Sequence, residues 1–196
     1  MTNKLNTYTV SIYTENNIGL LNRISAIFLK RHVNIESLTT SQSEIDNIYR
    51  FVIVVKVLES KIKNIIKQIE KQIEVIAAFY HVDKETIFLE TALYKVKSKS
   101  LFDEKHIQKI IKNSQANIVT VSPDYFVIEK TGWREETEKL YDSLEPYGLL
   151  QFVRSGRISV SKEAMNISNI LGLKAVSIFL VSTSSYIMKT LSITPI

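Results

Sequence analysis

The chain has 196 residues, 45% hydrophobic and 23% charged, a globular composition that excludes a wholly disordered protein. Its 25 Lys and Arg against 20 Asp and Glu leave a net charge of +5, too weak to argue for nucleic acid by itself. With no Cys, disulfides, thiolate nucleophiles and Cys metal sites are excluded, and His32, His81 and His106 show no ligand spacing. The first ten residues, MTNKLNTYTV, lack the apolar stretch of a signal peptide, so a cytoplasmic protein is expected.

Thr7–Thr14 places Tyr8, Val10 and Ile12 on one face and Thr7, Thr9 and Ser11 on the other, the period of a half-buried strand. Asn16-Asn17-Ile18-Gly19 breaks the pattern. Leu20, Leu21, Ile24, Ile27 and Phe28 then follow at helical spacing, with Lys30 and Arg31 at the end where cations suit the helix dipole. Val33–Ser43 and Ile48–Val57 read as strands joined by a hairpin turn at Glu44–Asn47. Ile62, Ile65, Ile66, Ile69 and Ile73 form one stripe of a helix whose other faces carry Lys and Glu. Glu74–His81 closes the unit as a strand.

The same order repeats. Ile87–Lys97 reads as a strand and Asp103–Asn113 as a helix with Ile107, Ile110 and Ile111 inward. Ala116–Val121 and Tyr125–Lys130 form a hairpin about Ser122-Pro123-Asp124, Trp133–Leu144 a helix, and Leu149–Val160 a strand containing Gly156. Thr7–His81 and Ile87–Ser161 span 75 residues each. Two tandem βαββαβ units define an α+β protein of two ferredoxin-like domains, expected at 1–82 and 83–162. Units this small bury a modest share of their surface, so dimerisation by sheet faces or edges is expected. Residues 163–196 fit neither unit. Between Lys174 and Lys189 lie 14 uncharged residues, short of the ~20 of a membrane helix. The expectation is an extra helix or a loosely ordered, dispensable tail.

The informative run is Glu15–Leu38. Gly19 stands where a loop enters a helix, whose first N–H groups are unpaired and partly positive. Such an end binds a carboxylate without a charged side chain, and a missing Cβ lets a small ligand approach. Asn16 and Asn34 can add polar contacts, and Ile18, Leu20 and Ile35 apolar ones, a set suited to an amino acid. The competing reading is that Asn16 caps the helix and Gly19 only permits the turn.

Glu15-Asn16-x-x-Gly19-x-Leu21-x-Arg23-x4-Phe28-x2-Arg31-x2-Asn34-Ile35-Glu36-Ser37-Leu38 resembles the small regulatory subunit of acetolactate (acetohydroxyacid) synthase, whose N-terminal part is an ACT domain. Ile118-Val119-x-Val121-Ser122-Pro123-x-Tyr125 and Val153-Arg154-Ser155-Gly156 resemble that family's second unit. The family more often has Gly-Tyr where this chain has His32-Val33, and it usually ends soon after the second unit. The resemblance implies a chain with no active site and no cofactor of its own. It implies a partner, the catalytic large subunit carrying thiamine diphosphate, Mg and FAD, which the small subunit activates and makes sensitive to valine or another branched-chain amino acid. It also implies a homodimer with the effector between two ACT domains. In this chain that site maps to Asn16, Ile18, Gly19, Leu20 and Leu21, with Val33, Asn34 and Ile35 facing it. Neither a nucleic-acid partner nor a membrane is expected.

Three other readings are weaker. An ACT-domain regulator of another pathway would not need the second unit. An RNA-binding ferredoxin-like domain would use Tyr49 and Phe51 as a stacking platform, but the motif lacks its glycines, and packing explains both residues. An acid–base pair among Asp103–His106 would lie at the start of a charged helix, where a solvated terminus suffices.

Overall fold

The computed structural model describes residues 5–99 and 105–172. In the first unit β1 (Asn6–Glu15) leads through the loop to α1 (Leu20–Leu29), followed by β2 (Ile35–Gln42), β3 (Ile48–Val57), α2 (Glu59–Ile69) and β4 (Val75–Val82). The four strands are antiparallel in the order β2-β3-β1-β4. One face of the sheet carries Tyr8, Val10, Ile12, Phe51, Ile53 and Val55 and packs against Leu20, Ile24 and Phe28 of α1 and Ile62, Ile65 and Ile69 of α2. Each such side chain contributes roughly 1.5–3 kcal/mol by leaving water. Ile73 is exposed rather than inward, because α2 ends at Ile69 and the chain turns before β4. The hairpin turn stands where expected, with Asn47 in the left-handed region (φ 62) and the Ser43 N–H donating to the Ile48 carbonyl at 2.8 Å.

The second unit follows the same plan. β5 (Thr86–Lys97), α3 (Lys105–Asn113), β6 (Asn117–Val121), β7 (Tyr125–Gly132), α4 (Arg134–Leu144) and β8 (Leu149–Arg154) form a sheet in the order β6-β7-β5-β8. The Tyr94 hydroxyl of β5 donates to the Thr137 carbonyl of α4 at 2.7 Å, and burial pushes its pKa up to about 12. The single closing strand expected over Leu149–Val160 is split. Ser155-Gly156-Arg157 interrupts it, and β9 (Ile158–Ser161) returns to pair with β5. Arg157 lies over the Phe88 ring, 3.6 Å from its centre.

Both first helices end in the same turn. The His32 N–H donates to the Leu29 carbonyl (2.9 Å) and the Val33 N–H to the Phe28 carbonyl (3.1 Å). Gln115 and Ala116 repeat this on Lys112 and Ile111. This is the Schellman arrangement, whose penultimate residue is left-handed and usually glycine. Here His32 (φ 50) and Gln115 (φ 53) occupy it. His32 thus holds the position that the resembled family more often gives to Gly.

Of the two expectations for the tail, the extra helix is the one seen as far as residue 172. A helix over residues 167–172, α5, lies on the face of the first sheet opposite α1 and α2. Its Leu171 is 0% exposed among Tyr13, Ile48, Ile76 and Ala77, with Ile167, Ile45 and Phe79 beside it. Residues 161–172 accordingly cluster with residues 5–86, whereas 87–160 form the second unit. Which face it covers was not legible in sequence, because Ile167 and Leu171, one turn apart, are the only described apolar contacts it makes there and leave no periodic signal. Ala175–Val181 lies outside the described residues.

Two outcomes are expected of urea titrations of the full chain. His32→Gly relieves the left-handed strain and raises stability by about 1 kcal/mol, less the glycine's own unfolded-state entropy. Leu171→Ala lowers stability by roughly 2–5 kcal/mol, as for other buried leucines, with the midpoint falling at an unchanged slope.

Candidate effector loop and its surroundings

The loop between β1 and α1 is short and held by backbone bonds. The Asn17 N–H donates to the Glu15 carbonyl (3.1 Å) and the Leu20 N–H to the Asn17 carbonyl (3.3 Å). Gly19 has φ 82, a left-handed conformation that a side chain disfavours, and a Cβ built there meets no atom within 4 Å. No side chain caps α1, so Asn16 does not act as its cap. Asn16, Ile18, Gly19 and Leu21 are all exposed, and Ile18 is 104% exposed, as open as an isolated residue. An uncapped helix start, open space at Gly19 and two free apolar side chains therefore stand together.

The other candidate residues sort differently. Leu20 and Val33 are buried in the first core, so their side chains serve packing. Asn34 is exposed and Ile35 half-buried at the start of β2. These do not meet the loop within one chain. Thr14, next to the loop, pairs with Tyr49 of β3, whereas Ile35 pairs with Val55. Six residues along a strand separate the two groups by about 20 Å. β2 is, however, the edge of its sheet. An antiparallel pairing of this edge with its own copy would carry the Asn34–Ile35 end of one β2 to the loop end of the other sheet.

Contacts that the sequence reading missed hold the loop in place. Arg23, in the first turn of α1, pairs with Glu74 just before β4 (Nη2–Oε1 2.7 Å), and the Glu15 N–H donates to the Glu74 carbonyl (3.0 Å). Glu74's own backbone N–H and then Arg23 hold its carboxyl below the usual carboxylate range. The partners are 51 residues apart, and the only sequence signal was Arg23's place in the quoted run.

In the second unit the Arg-Ser-Gly run is structural. Arg154 lies between Glu90 of β5 (3.6 Å) and Glu138 of α4 (3.3 Å), and the Ser155 N–H donates to the Thr91 carbonyl at 2.8 Å. Tyr49 and Phe51 face the helical core of the first unit, so no open stacking platform exists there. His106 is exposed at the start of α3, and Asp103 and Glu104 lie outside the described residues. Among the described residues no cluster of His, Cys, Asp or Glu could hold a metal, and no helix is long and apolar enough to cross a membrane.

The repeated βαββαβ plan, with an open glycine loop before the first helix of an edge-exposed sheet, defines a regulatory protein of the ACT-domain class. Residues 10–77 match the AHAS small subunit-like ACT domain, and residues 89–163 match the small subunit of acetolactate synthase. The chain is 35% identical over 162 residues to the acetolactate synthase small subunit of Mycolicibacterium smegmatis, covering 83% of this chain and 95% of that one. It is 34% identical over 154 residues to that of Bacillus subtilis, covering 78% and 89%. A crystal structure of the acetolactate synthase small subunit from Thermotoga maritima matches with a TM-score of 0.72 at 27% identity, over 81% of this chain and 99% of that one. The chain belongs to the acetolactate synthase small-subunit family, the regulatory subunits of branched-chain amino-acid biosynthesis. It is therefore a non-catalytic partner, and membership implies association with a catalytic large subunit and pairing through the ACT domain.

The Arg23–Glu74 pair should show in the pH dependence of stability. Because the folded pKa of Glu74 is lowered, its contribution is present above the unfolded value and is lost as pH falls through the folded one. Arg23→Ala is expected to cost about 0.5 kcal/mol at neutral pH, as partly exposed pairs do. The difference from the parent chain should fade below pH 4.5, checked by urea midpoints across that range.

Proposed function

We propose that this chain activates the acetolactate synthase large subunit and confers feedback inhibition by a branched-chain amino acid, valine foremost. The effector would bind where the Asn16–Gly19 loop and Leu21 of one copy meet the Asn34–Ile35 end of β2 of a second. The carrying observation is the start of α1, with no side-chain cap and nothing within 4 Å of the Gly19 Cβ position. The N–H groups of its first turn beyond Leu20 suit the ligand carboxylate. Asn16 and Asn34 offer oxygens to the ammonium group, and Ile18, Leu21 and Ile35 offer apolar surface to an aliphatic side chain. Each half of the site is incomplete alone, because about 20 Å of sheet separates the two groups within one copy. Two equivalent sites per homodimer follow from a two-fold axis.

The test is a valine inhibition curve of the enzyme reconstituted from both subunits. In Gly19→Asp the new carboxylate occupies the positive end of α1 and repels the ligand's own. The open surroundings leave only the left-handed strain, about 1 kcal/mol, which Asp tolerates better than most residues. The inhibition midpoint is expected to rise at least roughly tenfold, about 1.4 kcal/mol of binding, with activation of the large subunit retained. An unchanged midpoint in a folded variant refutes the site.

A further inference from the structure

On the helix-facing side of β3 in the first unit, Phe51, Ile53, Val55 and Val57 all belong to the core. The same side of β7 in the second unit carries Phe126, Ile128, Lys130 and Gly132, and its core stops at Ile128. Lys130 thus occupies an inward position of a kind that the first unit fills with apolar side chains. It pairs in register with the fully buried Ala92 and is itself only 8% exposed. Among the described residues its ammonium group has no hydrogen-bond or ion-pair partner. A charge withdrawn from water with nothing to neutralise it is costly, and such a group is suited to receive an anion.

Lys130 lines a cavity of about 430 Å³ beside α3 and α4. Ile110 of α3 and Leu140 of α4 give it apolar wall, and the other cation there, Lys139, is exposed. The rest of the wall mostly accepts hydrogen bonds. The Ser114 hydroxyl donates to the Ile110 carbonyl and the Ser143 hydroxyl to the Lys139 carbonyl, each at 2.8 Å, so both are left with acceptor lone pairs. The Glu136 carboxylate accepts the Trp133 N–H at 2.8 Å and keeps its second oxygen. A Cβ on Gly132 would run into that carboxylate and lie 3.3 Å from the Lys130 Cε, so the glycine leaves room for both charged groups.

We propose that this cavity of the second unit binds a small aliphatic carboxylate, with the carboxylate on the Lys130 ammonium and the aliphatic body against Ile110 and Leu140. A dianion such as phosphate is disfavoured by the Glu136 carboxylate and by the last carbonyls of α3, the negative end of that helix. A single carboxylate meets one buried cation without that repulsion. The acceptors of Glu136, Ser114 and Ser143 suit an ammonium group on the same ligand, so a free amino acid uses more of the wall than the corresponding oxo acid does. The site lies wholly within the second unit and is independent of the effector loop in the first.

The test follows the amide signals of Ser114, Leu140 and Ser143 by NMR in the isotope-labelled full chain. L-leucine, 4-methyl-2-oxopentanoate and inorganic phosphate are titrated in turn at constant ionic strength. Saturable shifts are expected with at least one of the two carboxylates. Saturation by leucine alone adds the ammonium contacts to the site, and equal saturation by both leaves the carboxylate on Lys130 as the shared contact. Phosphate binding as tightly as either overturns the assignment to a carboxylate, and no saturable shift with any probe overturns the site. Lys130→Met keeps an unbranched side chain of similar reach and removes the charge. It is expected to weaken binding at least roughly tenfold, as loss of a charged hydrogen bond does. Unchanged binding in the folded variant refutes the role of Lys130. The urea midpoint of Lys130→Met should stay level or rise, because the ammonium it removes is buried and unpaired. A fall matched by Glu136→Gln would show the two side chains already paired with each other and overturns the proposal. In Gly19→Asp these shifts are expected to persist. Their loss there would assign them to the effector loop and overturn the second site while leaving the first intact.

Discussion

Seven consecutive residues of β1, Tyr8 to Thr14, are buried, and most of the first unit depends on that strand. Val10 and Ile12 meet the helices on one side, and Thr9, Ser11 and Tyr13 are covered on the other. A central strand enclosed on both faces cannot shift register without moving two packed layers. The loop that follows it inherits this rigidity. Glu15 is bonded to the Glu74 backbone at the start of β4, and Arg23 ties the first turn of α1 to the same residue. Gly19 is thus held in place by its flanks, with nothing crowding it from above.

The two units share a strand order and a helix-ending turn but use their sheets differently. In the first, the side away from the helices is closed. In the second, Leu93 of β5 and Val153 of β8 pair in register on that side and are exposed. The second unit instead spends its ionic contacts inside itself. Arg154 joins β8 to Glu90 and Glu138, with its guanidinium over the Phe152 ring, 5.3 Å from the centre. The Arg-Ser-Gly run so marks where a strand ends and the chain swings into β9, a role in shape rather than chemistry.

The open glycine loop before α1 was legible in sequence because its signals are local. A glycine in a left-handed turn, the following helix and the flanking Asn residues lie within a few positions of one another. The distance between that loop and Asn34 was not legible. It depends on the register of β1, β2 and β3, and the pairings Thr14–Tyr49 and Ile35–Val55 put the two groups at opposite ends of the sheet. Leu20 and Val33 likewise read as ligand contacts until the core claimed their side chains.

What the sequence determined by itself is the order of elements, the repeat and the family, since periodicity and short motifs are properties of neighbouring residues. Only the tertiary structure decided which faces are dry. The alternation in β1 suggested one wet face, because Thr9 and Ser11 are small and polar and nothing nearby in the chain announces a cover. At Tyr13, on the same face, the cover is Leu171, about 160 residues away. A contact so distant leaves no periodic trace, because it is made by the meeting of two surfaces rather than by a pattern along either.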